Sequence, residues 1–368
     1  MPDTTEAPST APAPAGPVAG PRVRLGGVGT AVPEQSYTQR ELLDRFDIAD
    51  PRVVSLFQHS AIERRHLVLP DRADGRESQG QLLRKHLTHG IEIGRAAVLE
   101  CLDRNGLDIA DVRHLCCVSS TGFLVPGFSA LLIRELGLAV DCSRLDVVGM
   151  GCNAGLNALS AVSGWAAAHP GQAAVMVCIE VCSAAYVFDG SMRTSVVNSL
   201  FGDGAAAVAL VAGPKRAGDG AAGPVILNYA SRIIPEAIDA MRYDWDDDQH
   251  KFSFFLDPDV PYVVGAHVRH SVDRLLADTG LHRSRIAHWI IHSGGKKVID
   301  SVRVNLGLTR HDVRHTIGVL RDYGNLSSGS FLFSFQRLQR EGICAPGEYC
   351  VLMTMGPGST IELALLRW

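Results

Sequence analysis

The sequence reads as an α/β layered protein with a central sheet, assembled from two halves of similar plan. Three features carry that reading. Short apolar runs alternate with helical patterns from Arg22 onward. Two strings 154 residues apart, Phe201-Gly-Asp-Gly-Ala-Ala-Ala-Val-Ala-Leu and Met355-Gly-Pro-Gly-Ser-Thr-Ile-Glu-Leu-Ala, each set a Gly-x-Gly turn at the head of a strand. The 368 residues are 46% hydrophobic and only 20% charged, enough to bury a large core as one big domain or two fused ones.

Composition narrows the function class. A formal net charge of −4 gives no basic surface for nucleic acid or an acidic membrane. Apolar stretches are interrupted well short of a membrane span, and no charged start followed by an apolar block marks a secretory signal. The nine cysteines lack paired metal spacing, and their odd number suggests free thiols in a reducing cytoplasm. A cytoplasmic protein without a metal site is therefore expected.

Residues 1–21 hold six prolines and five alanines with almost no bulky side chains, so this tail cannot offset its ordering entropy and is expected to be disordered. An N-terminal half over 22–223 follows. Its first strand, Val23 to Val28, leads to a turn at Val32-Pro33 and a helix start where Thr38 and Glu41 form a capping box. A short helix from about Arg52 to Ala61 ends in the basic Arg64-Arg65-His66, and Glu77 to Asn105 reads as a long helix closed by Gly106. Buried strands are expected at His114 to Ser120 and Ala173 to Ile179, with a helix from Ser129 to Leu136 between them. Residues 213–224, rich in Gly and Ala, look like a linker. The C-terminal half, 224–368, repeats the alternation. It has strands at Val225 to Ser231 and Ile286 to Ile291, helices at about Val260 to Thr279, Lys296 to Asn305, His311 to Tyr323 and Ser330 to Glu341, and closing strands at Tyr349 to Met355 and Thr360 to Leu366. The acidic stretch Asp244 to Asp248 reads as a solvated loop.

Chemistry concentrates in Asp146-Val-Val-Gly-Met-Gly-Cys152-Asn-Ala-Gly, where an apolar run ends in glycines and a cysteine opens a small-residue helix to about His169. Unpaired N–H groups and the helix dipole at such a position are expected to lower a thiol's pKa. Downstream, His292 ends an apolar strand at a glycine pair, and Asn325 lies in the glycine turn Gly324-Asn-Leu-Ser-Ser-Gly. Most of nine cysteines and fourteen histidines in such a chain are structural. The contexts of Cys152 and His292 reverse that expectation. Cys152 and Asn325 each start a helix ahead of a closing hairpin, which would set them face to face across a pseudo-dyad.

Together with Leu200-Phe-Gly-Asp-Gly-Ala-Ala-Ala and Trp289-Ile-Ile-His-Ser-Gly-Gly, these strings resemble the type III polyketide synthases, chalcone synthase-like members of the thiolase superfamily. The resemblance runs from residue 22 to 368. It implies a five-layered αβαβα thiolase-like fold of two pseudo-duplicated halves, a homodimer, and an acyltransferase that extends a thioester starter with malonyl-CoA and needs no further cofactor. In this light Cys152 is the nucleophile, and His292 and Asn325 hold the thioester oxygen of malonyl-CoA. Phe201 and Phe254 match the gatekeepers between CoA tunnel and cavity. Thr121, Ala185 and Ser327 match cavity-lining positions, and Val125 a residue lent to the partner subunit's cavity. Arg52 and His59 match CoA contacts, while a third basic position is Ser55 here; Lys296 and Lys297, at a helix start, could compensate. Ala185 and Met355 depart from the plant enzymes, which have a bulkier hydroxyl residue and a phenylalanine. Thr121-Gly-Phe-Leu-Val-Pro-Gly and Cys182-Ser-Ala-Ala-Tyr look most like a bacterial branch from glycopeptide-antibiotic pathways. Its members use malonyl-CoA as starter and extender, fold a tetraketide into a resorcinol ring and release an aryl-acetyl-CoA, working beside enoyl-CoA hydratase-like partners.

Four other readings compete. Another type III polyketide product is compatible with the same motifs. A ketoacyl-carrier-protein synthase III-like condensing enzyme shares Cys, His and Asn, but the Phe201 and Gly-Pro-Gly contexts favour the first family. A non-catalytic thiolase-fold scaffold would usually have lost one of the three polar residues, and a Cys–His hydrolase would carry its cysteine in a G-x-C-x-G elbow.

Overall fold

The computed structural model describes residues 21–70, 77–213 and 223–368. The expected disordered tail and the linker lie outside these residues except at their edges. The first half runs β1 (Val23–Ala31), β2 (Ser36–Thr38), α1 (Gln39–Arg45), α2 (Pro51–Gln58), β3 (Arg64–His66), α3 (Gln79–Asn105), β4 (Val112–Val118), α4 (Phe128–Leu136), β5 (Ser143–Val147), α5 (Ala154–Ala168), β6 (Ala173–Glu180), α6 (Met192–Leu200) and β7 (Gly204–Ala212). The second runs β8 (Val225–Ile233), β9 (Met241–Asp246), β10 (Lys251–Leu256), α7 (Val260–Leu276), β11 (Ile286–Ile291), α8 (Lys296–Leu306), α9 (Arg314–Tyr323), α10 (Ser330–Glu341), β12 (Tyr349–Gly356) and β13 (Thr360–Arg367).

Strand order shows the repeat. In the first half it is β5-β4-β6-β7-β1, in the second β11-β12-β13-β8. β4 lies parallel to β6, which pairs antiparallel with β7, and β7 with β1. β11, β12, β13 and β8 repeat that pattern of one parallel and two antiparallel pairings. Among the described residues the second half has no counterpart of the edge strand β5. The strands of the two halves join where β1 meets β8, Arg24 pairing with Val225, so that all nine form one continuous order.

Alternation along the strands explains the layers. On β6, Ala174, Met176 and Cys178 face one core, while Val175, Val177 and Ile179 face another. Cys350 and Leu352 on β12 join the first of these cores, and Val351, Met353 and Met355 turn to a third. Strands covered on both faces need the continuous apolar runs seen in the sequence. Each large aliphatic side chain buried there contributes about 1.5–3 kcal/mol. The shared core is filled by α5 and α10, which touch strands of both halves. α3 and α4 cover the outer face of the first sheet, and α7 covers that of the second. The result is the mixed α/β, thiolase-like arrangement of duplicated halves.

Local signals behave as expected in many places. Thr38 and Glu41 form the capping box, and Gly106 closes α3 in the left-handed conformation. Two expectations are corrected. Asp244 to Asp248 is only in part a solvated loop: Asp247 and Asp248 lie in an exposed turn, but Asp244 and Asp246 lie on β9, which pairs with β10, and Asp244 binds Arg193 at 2.8 Å and Arg242 at 2.9 Å. Arg64-Arg65-His66 is a strand, and Arg65 is fully buried.

Candidate active site

Cys152 sits in a 3₁₀ turn, Gly151–Asn153, that leads into α5. Gly149 and Gly151 enter the turn at φ 79° and 66°, conformations open to glycine. Gly155, one turn on, lets α5 approach the second half closely. A Cβ there would fall 2.4 Å from the Ser328 carbonyl oxygen and 2.7 Å from the Phe331 ring. That approach brings the Cys152 Sγ to 3.5 Å from the Ser327 Oγ.

Asn325 reaches the same point from the other half. It follows Gly324, whose φ of 74° with ψ of −155° is a glycine region of backbone space. Its N–H donates to the Leu200 carbonyl at 2.9 Å and its carbonyl accepts from Gly202 N–H at 3.0 Å, so Asn325 pairs with Phe201. The side-chain Oδ1 accepts from Ser327 N–H at 2.8 Å, which leaves the amide NH₂ as the donor group of this side chain. His292 directly follows β11, with its N–H bound to the Met353 carbonyl at 2.8 Å. The next residue, Ser293, donates its hydroxyl to the Gly324 carbonyl at 3.4 Å, tying the His292 and Asn325 turns together. His292 is buried and, among the described residues, its Nδ1 has no partner.

Burial dominates the electrostatics. Desolvation pushes the Cys152 thiol up to about 12, with the Glu180 charge adding to the rise and the Ser327 hydroxyl opposing it. The expectation that the helix start lowers this thiol is therefore corrected. Desolvation likewise pulls the His292 imidazole down to about 3. Thiol and neutral imidazole are the forms that burial favours for each group taken separately.

A cavity of about 420 Å³ opens over Cys152. Six residues singled out from the sequence line it: Cys152, Thr121, Ala185, Phe201, Phe254 and Ser327. The rings of Phe201 and Phe254 meet edge to face, 5.9 Å apart. Neither His292 nor Asn325 is among the residues that line the cavity. Val125 is 82% exposed on the loop before α4. Arg52, His59, Lys296 and Lys297 are also exposed, Arg52 pairing with Asp50 at 3.0 Å and His59 Nδ1 lying 3.2 Å from the Ser55 Oγ.

Two buried groups escaped the sequence reading. Glu180, at the end of β6, accepts from Ser120 N–H at 3.0 Å and Ser120 Oγ at 2.9 Å, and also from the Ser328 hydroxyl. Ser120 Oγ lies 2.8 Å from Ser327 Oγ, so hydroxyls link this carboxyl to the Cys152 sulfur. Burial raises the Glu180 pKa. The available signal was a carboxylate ending an otherwise apolar strand. Arg65 donates to the Phe201 and Asn198 carbonyls at 2.7 Å, Tyr186 Oη at 2.9 Å and Gln39 Oε1 at 2.7 Å, fixing the turn that carries Phe201.

Comparison with known proteins agrees with this geometry. Residues 74–214 match the N-terminal domain and residues 227–368 the C-terminal domain of chalcone and stilbene synthases. The chain is 67% identical over 353 residues to the 3,5-dihydroxyphenylacetyl-CoA synthase of Streptomyces toyocaensis, covering 95% of this chain and 90% of that one. It is 63% identical over 349 residues to the enzyme of that name from Amycolatopsis orientalis, covering 94% and 93%. The crystal structure of 1,3,6,8-tetrahydroxynaphthalene synthase from Streptomyces coelicolor A3(2), a bacterial type III polyketide synthase, superposes with a TM-score of 0.84 at 27% identity, covering 94% of this chain and 99% of that one.

Proposed function

The chain belongs to the chalcone and stilbene synthase family, whose chemistry is decarboxylative condensation of CoA thioesters, and we propose that it joins malonyl-CoA units into a tetraketide and closes this to 3,5-dihydroxyphenylacetyl-CoA. The observation that carries the chemistry is the meeting of Cys152 with the Asn325–Ser327 turn beneath an enclosed apolar wall. The product follows from the similarity to the Streptomyces and Amycolatopsis synthases.

Cys152 attacks the thioester carbonyl of the starter and CoA leaves as its thiol. His292, neutral at rest, takes the Cys152 proton as attack begins. Thiolate and imidazolium then stabilise each other where water does not screen them. With the acyl group on sulfur, His292 is neutral again and donates one N–H. Malonyl-CoA loses carbon dioxide, its electron pair moving onto the thioester oxygen as an enolate. The His292 N–H and the Asn325 amide face that oxygen, and each such donor lowers the barrier by about 3–4 kcal/mol. The enolate carbon attacks the cysteine-bound acyl carbon and displaces the Cys152 thiolate, lengthening the chain by two carbons on CoA. Phe201 and Phe254 keep water from the carbanion. Lys296 and Lys297, in the first turn of α8, oppose the helix dipole unless an anion sits there, which supports a role with Arg52 and His59 in holding CoA phosphates. The exposed Val125 fits a homodimer in which it reaches the partner subunit's cavity.

Incubating the protein with malonyl-CoA alone tests this reading. We expect release of CoA and a mass corresponding to 3,5-dihydroxyphenylacetyl-CoA or its hydrolysed acid. Malonyl-CoA left unconsumed would refute condensation, and a different aromatic product would refute the assigned specificity alone.

A further inference from the structure

The cavity has hydroxyls at its reacting end, but most are already engaged. Ser120 bonds Glu180 and Ser327, Ser327 also lies against Cys152, and Thr121 accepts from Val181 N–H at 3.0 Å with His86 Nδ1 at 3.2 Å. Tyr243 differs. It lies on β9 opposite Phe254, its ring 5.1 Å from the Phe254 ring, and it lines the same cavity. Among the described residues its hydroxyl has no hydrogen-bond partner. The residue is 42% accessible, yet its phenol is desolvated and feels the charges of Cys182, Glu180 and Cys152, all of which raise its pKa. Tyr243 and Cys152 line one cavity, so the phenol shares the space in which the thioester chain is held. Held protonated, it can only gain by donating to a substrate acceptor.

A polyketide chain carries ketones on alternate carbons, so its oxygens are acceptors and a folded chain needs donors from the wall. We propose that the Tyr243 hydroxyl binds one ketone oxygen of the completed polyketide thioester and promotes its ring closure, making it a further catalytic residue that acts after condensation. This deepens the reading above and rests on it. In the closing step an enol carbon of the chain bonds to the ketone carbon, and the ketone π pair moves onto the oxygen held by Tyr243. The proton shed by the enol ends on that oxygen, and the alcohol so formed departs as water when the ring aromatises. No oxidant or reductant is required. A donor aimed at the charged oxygen favours this step over release of the open chain, which closes on itself as a pyrone.

The test is product partition in Tyr243→Phe with malonyl-CoA as sole substrate, reading CoA release and the ratio of aromatic product to pyrones by mass spectrometry. CoA release should stay within about twofold of the wild type while the aromatic-to-pyrone ratio falls at least tenfold. Phe252→Ala separates the hydroxyl from general loosening of the hairpin, because Phe252 packs on Trp245 at 5.2 Å outside the cavity. Its ratio should stay that of the wild type. An unchanged ratio in Tyr243→Phe, or an equal fall in Phe252→Ala, overturns the proposal while leaving condensation intact. A wild type that releases no CoA sinks both.

Discussion

Ser327 adopts φ 47°, a left-handed conformation that costs a serine roughly 1 kcal/mol or more. The turn is held there because Asn325 Oδ1 accepts the Ser327 N–H. Asn325→Asp keeps the acceptor and removes the donor. We expect the loop to persist while decarboxylation of malonyl-CoA slows by about 10²–10³-fold, measured as carbon dioxide release. His292 makes a prediction about pH. Its folded pKa near 3 lies below the ordinary 6.5, so the unfolded chain binds the proton more readily and stability falls as pH drops below about 6.5. Between pH 7 and pH 5 the wild type should lose about 2 kcal/mol more than His292→Gln, measured by urea unfolding at the two pH values. The same histidine should control the nucleophile. Iodoacetamide should label Cys152 faster than the other cysteines at pH 7, and at least tenfold more slowly in His292→Ala, which lacks the imidazole that takes the thiol proton. Labelling unaffected by that change would remove His292 from the activation step.

Elements position these residues through close approach rather than through long-range charge. α5 can reach the Ser327 turn because residue 155 has no side chain; Gly155→Ala should cost about 1–3 kcal/mol of stability and most of the activity, checked by unfolding and CoA release together. Much at this scale could be read from the sequence. The continuous apolar strands, the capping boxes and the glycine turn before Cys152 are local signals, and they lie where the pattern puts them. Arg65 was not legible, because Arg64-Arg65-His66 looks like any solvated basic string and its partners come from residues 39, 186, 198 and 201. The β9–β10 hairpin was hidden for a different reason. Its period-2 aromatics, Tyr243 and Trp245 opposite Phe254 and Phe252, are interleaved with aspartates that dominate the composition. Reading charge before periodicity misassigned it, and with it the wall that carries Tyr243.

At the scale of the whole molecule, duplication explains why the site forms where it does. In the first half β5 leads through the Cys152 turn into α5, and in the second α9 leads through the Asn325–Ser327 turn into α10. Both helices pack against strands of both halves, which brings the two helix starts together. The Gly-x-Gly echo between residues 201 and 355 was the local trace of that repeat. What the linear pattern could not convey was burial at the junction, which reverses the direction of the Cys152 pKa expected from its helix start. The most direct test of the central claim is peptide-level mass spectrometry of the protein quenched during turnover of malonyl-CoA. An acyl or polyketide adduct should be found on the Cys152 peptide and be lost in Cys152→Ala together with product; an adduct on Cys182 instead, or product formation by Cys152→Ala, would contradict the account.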